Sequence, residues 1–231
     1  AVVKLSNGTY MPLDPTWVPF CRELWSSAEQ QQNYLPGVPE GSDLCITPVS
    51  APENHYVRIK ADNRLDADGT LRGTFTLTAE GQSDSNIRRI FTTGFQSEWK
   101  STMERQLLAI SPKARLLSVD YGKNPKYYQA APIKITFRYE IPDYALRGEG
   151  EMFFRPMVMN NLYNQVRSYM WIDTSVENRM YGFKDGCSRL VELDETIQLP
   201  AGYKLVSAAK DETMQGVGAD FEGSLVQKGN K

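Results

Sequence analysis

Two alternating runs about a single turn, Tyr56–Leu65 and Thr70–Ala79 joined by Asp66-Ala67-Asp68-Gly69, limit what this chain can fold into. Val57, Ile59 and Ala61 recur at every second position of the first run, and Leu71, Gly73, Phe75 and Leu77 at every second position of the other. A period of two sends successive side chains to opposite faces, so each run presents one face to a core and one to water. Acids and a glycine between such runs read as the turn of an antiparallel hairpin.

Helical spacing follows. Ser83-Asp84-Ser85 offers side-chain oxygens for a helix N-cap. Ile87, Ile90 and Phe91 share one face, and Phe95, Trp99, Met103, Leu107 and Ile110 continue it to Pro112, with Gly94 as a break. That stripe has the width of an ordinary buried face, so the helical region near 84–110 is expected to pack on the sheet. Further strands are expected at Ala114–Tyr121, Ile133–Ile141, Glu149–Met159, Arg189–Leu199, Tyr203–Ala208 and Ala219–Gln227, with Asn160–Glu177 as a linker or crossover. Hairpins around one broken helix, without β-α-β alternation, predict an α+β fold built mainly of antiparallel, sandwich-like sheets. Three parts are expected. Residues 1–52 form a hairpin and an irregular segment, 53–160 a β-rich domain carrying the helix, and 161–231 strands that either complete the same sheets or make a second small domain.

With 231 residues, 41% of them hydrophobic, and 12 Tyr, 9 Phe and 4 Trp, the chain can fill a real core. Its 26 basic and 28 acidic residues are interspersed for a net charge of −2, which gives no footprint for nucleic acid or anionic lipid. No apolar run approaches the roughly 18 residues of a membrane span. Cys21, Cys45 and Cys187 include no CxxC pair and His55 has no His partner, so neither a metal nor another cofactor is expected. A single His also argues against a self-contained triad. His55 reads as an exposed loop residue at the start of a strand. Asp66/Asp68 sit in a turn and Asp194/Glu195 at the exposed edge of a strand, where carboxylates are solvated. Glu149 and Glu151 alternate with glycine on one strand face, and nothing sets an acid and a base around them.

The residues that point to chemistry stand near the start. Val2–Leu5 and Thr9–Leu13 flank Asn7-Gly8, a strong hairpin signal. The second strand runs into Leu13-Asp14-Pro15-Thr16, where Pro15 forces Asp14 into extended backbone and stops the ladder. Such a carboxylate suits the orienting role in a Cys-His-Asp triad, selecting the imidazole tautomer and stabilising the imidazolium. It equally suits the capping of its own turn. Asp14 to Pro52 is proline-rich and irregular, anchored by Trp17, Phe20, Trp25 and Tyr34, with a helical turn or two around Cys21–Gln32.

Residues 1–20, AVVKLSNGTYMPLDPTWVPF, resemble the region just after the active-site His of bacterial transglutaminase-like proteins, a papain-like superfamily. The Tyr56–Ala79 hairpin, the Asn86-Ile87-Arg88-Arg89 helix and the turn Thr196–Tyr203 resemble the layout of large envelope-associated members, whose transglutaminase-like core lies between β-rich domains. The resemblance implies that Asp14 is the triad Asp and that the Cys and His belong to an upstream core ahead of Ala1. Cys21 follows the Asp and so is not the nucleophile. The implied function is that of a C-terminal portion, inert alone, of a thiol hydrolase or acyltransferase in the periplasm or cell envelope. Export would allow a Cys21–Cys45 bridge with Cys187 as a buried thiol, and three unpaired thiols are the alternative. The alternative is a non-catalytic module that binds a protein or glycan through the aromatic 14–52 segment and exposed rings such as Tyr127, Tyr128 and Tyr163. The two readings differ over Asp14: an orienting carboxylate faces away from its own turn.

Overall fold

The computed structural model describes residues 1–16, 23–128, 131–158, 177–182 and 186–229 of the chain. Its strands are β1 (Val2–Lys4), β2 (Tyr10–Pro12), β3 (Asn33–Tyr34), β4 (Cys45–Ile46), β5 (Val57–Leu65), β6 (Leu71–Ala79), β7 (Arg115–Asp120), β8 (Ile133–Ile141), β9 (Leu146–Arg147), β10 (Met152–Phe153), β11 (Val191–Gln198), β12 (Glu212–Gln215) and β13 (Asp220–Gly223). Two helices, α1 (Gly81–Thr93) and α2 (Trp99–Leu108), lie between β6 and β7. The class is α+β, with sheets that are mostly antiparallel.

The centre is a five-stranded sheet in the order β11-β5-β6-β8-β7. The hairpin read from alternation is β5–β6, in register from Val57↔Ala79 to Leu65↔Leu71. Its inner face carries Val57, Ile59, Ala61 and Leu65 of β5, Leu71, Phe75 and Ala79 of β6, and Ile133, Ile135, Phe137, Tyr139 and Ile141 of β8, all buried. Phe75 and Phe137 face each other across β6 and β8 with ring centroids 4.3 Å apart. Stacking of this kind adds about 0.5–1.5 kcal/mol beyond area burial. The outer face alternates hydroxyls with charge: Arg72, Thr74, Thr76 and Thr78 lie between Arg64, Asp62, Lys60 and Arg58 on one side and Glu140, Arg138, Thr136 and Lys134 on the other.

Where the sequence suggested a sandwich-like second sheet, the inner face is covered by helix. α1 lies against β6 and β8, and α2 against β7. Ile87, Phe91, Trp99, Met103 and Leu107 enter the core as expected, with Phe91, Trp99 and Tyr121 meeting edge to face. Phe95 does not; it is 76% exposed. Gly94 ends α1, and Phe95 has extended backbone (φ −73°, ψ 143°) ahead of a short 3-10 turn, so the helical phase is reset between the two pieces. The helix also begins earlier than the cap signal suggested. Glu80 occupies the N-cap position, which leaves Ser83 and Asp84 buried inside α1.

Two other strand expectations change. Glu149–Met159 yields only β10, and Met157 and Val158 leave the strand to enter the core. Tyr203–Ala208 forms no strand; Glu212–Gln215 does instead, pairing with β13. The 161–231 region contributes β11 to the central sheet, parallel to β5, so that the sheet is mixed. Most of the Asn160–Glu177 crossover lies outside the described residues, Tyr163 included.

Candidate functional site

The Asp14 corner is built from a lone hairpin. Among the described residues β1 and β2 pair only with each other, turned by Gly8 at φ +84°. A two-stranded ribbon has little burial of its own, and Val3 and Leu5 remain exposed. Asp14 follows β2 and is half-buried, its N–H donating to the Leu24 carbonyl at 2.7 Å. Its Oδ1 accepts from Thr16 N–H at 2.9 Å and from Thr16 Oγ1 at 2.6 Å. These bonds hold the carboxyl below its usual range, so it is ionised at neutral pH. The expectation that Asp14 turns away from its own loop is therefore corrected: one oxygen caps that loop, because a hydroxyl two residues on is within reach without rearrangement. A carboxylate has about four lone-pair sites. Oδ2 carries no hydrogen bond from any described residue.

The His is not where the sequence put it. His55 ends a short 3-10 turn, Pro52–His55, and is 0% exposed. Gln82 N–H donates to its Nδ1 at 3.1 Å, which fixes the neutral tautomer with the proton on Nε2. Nε2 then donates to Ser50 Oγ at 2.7 Å, and the Ser50 hydroxyl donates to Glu23 Oε2. Burial, and the Arg189 charge after it, lower the His55 pKa to about 4. Ser, His and a carboxylate are thus together, but in the wrong sense for nucleophilic catalysis. A triad base must accept the serine proton at Nε2 while a carboxylate takes Nδ1–H; here Nε2 donates, and the carboxylate bonds the serine. Ser50 is also fully buried. The chain of bonds clamps the irregular 23–55 segment onto the start of α1. Gly81, at φ +62°, makes room for it, since a Cβ there would overlap His55 Nδ1 and the Asn54 carbonyl.

Two further buried polar groups escaped the sequence reading. Glu195 was expected beside Asp194 on an exposed edge, yet its carboxylate points into the core while Asp194 stays exposed. It accepts from Asn63 Nδ2 at 2.6 Å, Met157 N–H at 3.1 Å and Val158 N–H at 2.9 Å, and burial raises its pKa. Tyr139 OH closes the network on Asn63 Oδ1 at 2.5 Å. Gly73 lies opposite Asn63, where any Cβ would overlap Asn63 Oδ1 and the Asp62 carbonyl. The signal was there: Glu195 is the one polar member of the series Val191, Leu193, Glu195, Ile197.

Arg88 is the other. It is 2% exposed and every one of its five N–H donors is engaged. Nε and one Nη2 hydrogen hold Asp84, and the remaining three bind the carbonyls of Pro125, Tyr127 and Ala131 at 3.0, 3.1 and 2.6 Å. Asp84 Oδ2 also accepts Ile133 N–H at 2.6 Å. Burial pushes the Asp84 carboxyl up, against the pull of these donors. An Asp and an Arg four apart, flanked by Ile87 and Phe91, could have been read as an inward pair. The pair positions the loop that follows β7. There Tyr127, Lys123, Gly122 and Pro132 border a groove of about 510 Å³ with Tyr56, Thr78 and Lys134 of the sheet's outer face.

The other candidates are surface groups. Asp68 caps its turn through Thr70, and Asp66 pairs with Arg64 and Arg72. Glu149 and Glu151 are exposed. Cys45 is a free thiol that donates to the Asp43 carbonyl; Cys21, its expected partner in a bridge, lies outside the described residues. Cys187 is a buried thiol. Among the described residues no cluster of His, Cys, Asp and Glu has the makings of a metal site, and no helix is long and apolar enough to cross a membrane. Comparison with known protein families, curated proteins and solved structures finds no match for this chain.

Proposed function

We propose that residues 1–16 form an edge hairpin of a transglutaminase-like, papain-type core, to which Asp14 supplies the orienting carboxylate. The five-stranded domain is then an accessory module of the same bacterial envelope protein. The supporting observation is the state of Asp14: ionised and half-buried after a two-stranded ribbon, with Oδ1 on Thr16 and, among the described residues, no hydrogen bond to Oδ2. An imidazole N–H needs one ionised oxygen; the Thr16 bonds to Oδ1 are those of a turn cap and weigh for the alternative, so the reading rests on Oδ2. In that arrangement a Cys thiolate of the core attacks an amide or ester carbonyl, giving hydrolysis or acyl transfer to an amine. The isolated chain is inert in this reading, since removing nucleophile and base removes the reaction.

The test uses the natural open reading frame that encodes Ala1 onward with its upstream sequence. A Cys-bearing helix and a His directly before Ala1 are expected, with thiol-dependent activity in the whole protein. Asp14→Ala should lower kcat by about 10²–10⁴-fold. An active whole protein whose kcat ignores Asp14→Ala would reduce Asp14 to a turn residue. The chain would then be read as a non-catalytic binding module.

A further inference from the structure

The groove beside Thr78 is better built than a surface crevice needs to be. Its floor is the outer face at one end of the sheet, where Thr78 and Lys134 are cross-strand partners. Tyr56 forms one wall, held under the Arg58 guanidinium 4.1 Å from its ring centroid. The opposite wall is the loop after β7, and Arg88 anchors it by the three carbonyls of Pro125, Tyr127 and Ala131. Asn124 adds a turn, its Oδ1 accepting Lys126 N–H and its carbonyl accepting Tyr127 N–H. The loop is thus fixed from beneath while the Tyr127 side chain stays 67% exposed at the rim.

The lining has a definite chemistry. It includes Lys123, Lys134 and Arg88, and no carboxylate. Arg88 has no donor to spare, so the site has no guanidinium fork for a phosphate; two lysines act as point charges instead. Strand addition is also closed off, because β6 and β8 are interior strands paired on both sides. From the groove the outer face continues as Thr76 and Thr136, whose hydroxyls meet at 3.0 Å; Lys60 lies beside Thr76 and Asp120 beside Thr136, and in the next row Thr74 stands between Asp62 and Arg138. A sugar acid, with a carboxylate and hydroxyls on an apolar-faced ring, fits the Tyr and Lys of the groove and the Thr hydroxyls beyond it.

We propose that this groove binds an acidic oligosaccharide, with one uronate carboxylate between Lys123 and Lys134 and its sugar ring against Tyr127. The neighbouring sugar unit lies over the Thr76 and Thr136 hydroxyls. The site lies on the sheet domain, and its existence does not depend on the role of Asp14. Calorimetric titration of the full chain with tetragalacturonate tests it, with cellotetraose and polyglutamate as the neutral and the non-sugar controls. Saturable binding of the uronate at one site is expected, weakened at least tenfold by Tyr127→Ala and by Lys134→Glu and weakened by added salt. Both side chains are exposed, so each variant should keep the parent's unfolding midpoint, which separates lost binding from lost fold. Absence of saturable uronate binding overturns the proposal. So does cellotetraose binding as tightly as the uronate, or polyglutamate binding as tightly with Tyr127→Ala indifferent. Two variants that bind like the parent would move the ligand elsewhere and overturn it too.

Discussion

A carboxylate, an imidazole and a hydroxyl within hydrogen-bond reach are not a catalytic device until the direction of each proton is known. At Ser50 and His55 the direction is set by a backbone amide, Gln82 N–H, which cannot reverse its role. The cost of that arrangement is sensitivity to acid. His55 titrates near 6.5 in an unfolded chain and at about 4 in the fold, so the folded state binds fewer protons. Its contribution to stability is complete above pH 6.5 and is lost as pH falls toward 4, roughly 3 kcal/mol in all. Charged groups facing it are Glu23, 3.7 Å from Nε2, and Arg189, which opposes protonation. Urea unfolding at pH 7 and pH 4.5 should therefore show a steeper loss for the parent than for His55→Gln; equal losses would count against a neutral buried imidazole. None of this was legible beforehand. Ser50, His55 and Glu23 sit in irregular backbone, where no period tells which side chain turns inward, and a lone His after a proline reads as exposed. Asp14 was legible as a residue of two roles; one oxygen goes to the turn, and the other carries no hydrogen bond among the described residues.

Elements were easier to read, because burial imposes a period on them. β5, β6 and β8 were recovered nearly to the residue, since each has one wet and one dry face. Strand β12 was missed because all four of its residues are exposed, so no alternation marks it. The helical stripe failed at one place only, beyond Gly94. This gives a paired expectation. Trp99→Ala should cost about 3–5 kcal/mol, since the ring is 4% exposed and packs on Phe91 and Tyr121, whereas Phe95→Ala should stay within about 0.5 kcal/mol. Trp99→Phe should fall well short of the alanine loss, because the indole N–H it removes is buried without a partner. Denaturant unfolding of the three variants decides the matter; a costly Phe95→Ala would mean that the helix is continuous.

At the scale of the whole molecule the outer strand β11 is held by its ladder on β5 and by the Glu195 carboxylate, which ties it to Asn63 and to the Met157 and Val158 amides. Glu195→Ala leaves Asn63 and two backbone N–H groups without their acceptor, and should cost about 3 kcal/mol, while Glu195→Gln retains one acceptor oxygen and should cost less. Equal stability of the alanine variant and the parent in urea would show that solvent replaces the carboxylate. The parallel pairing could not be read from pattern, because nothing local tells a strand which edge to join or in which direction. It also joins residues far apart: Arg58 and Glu192, neighbours on the outer face, are separated by 134 positions. On a ribosome the four antiparallel strands and both helices, residues 57–141, are synthesised well before β11 exists. Until then the free edge of β5 shows unpaired amides and carbonyls beside an incompletely covered apolar face, which is a template for pairing with another nascent chain. The interval between translation of residue 141 and residue 198 is thus the time during which this protein is most prone to aggregate.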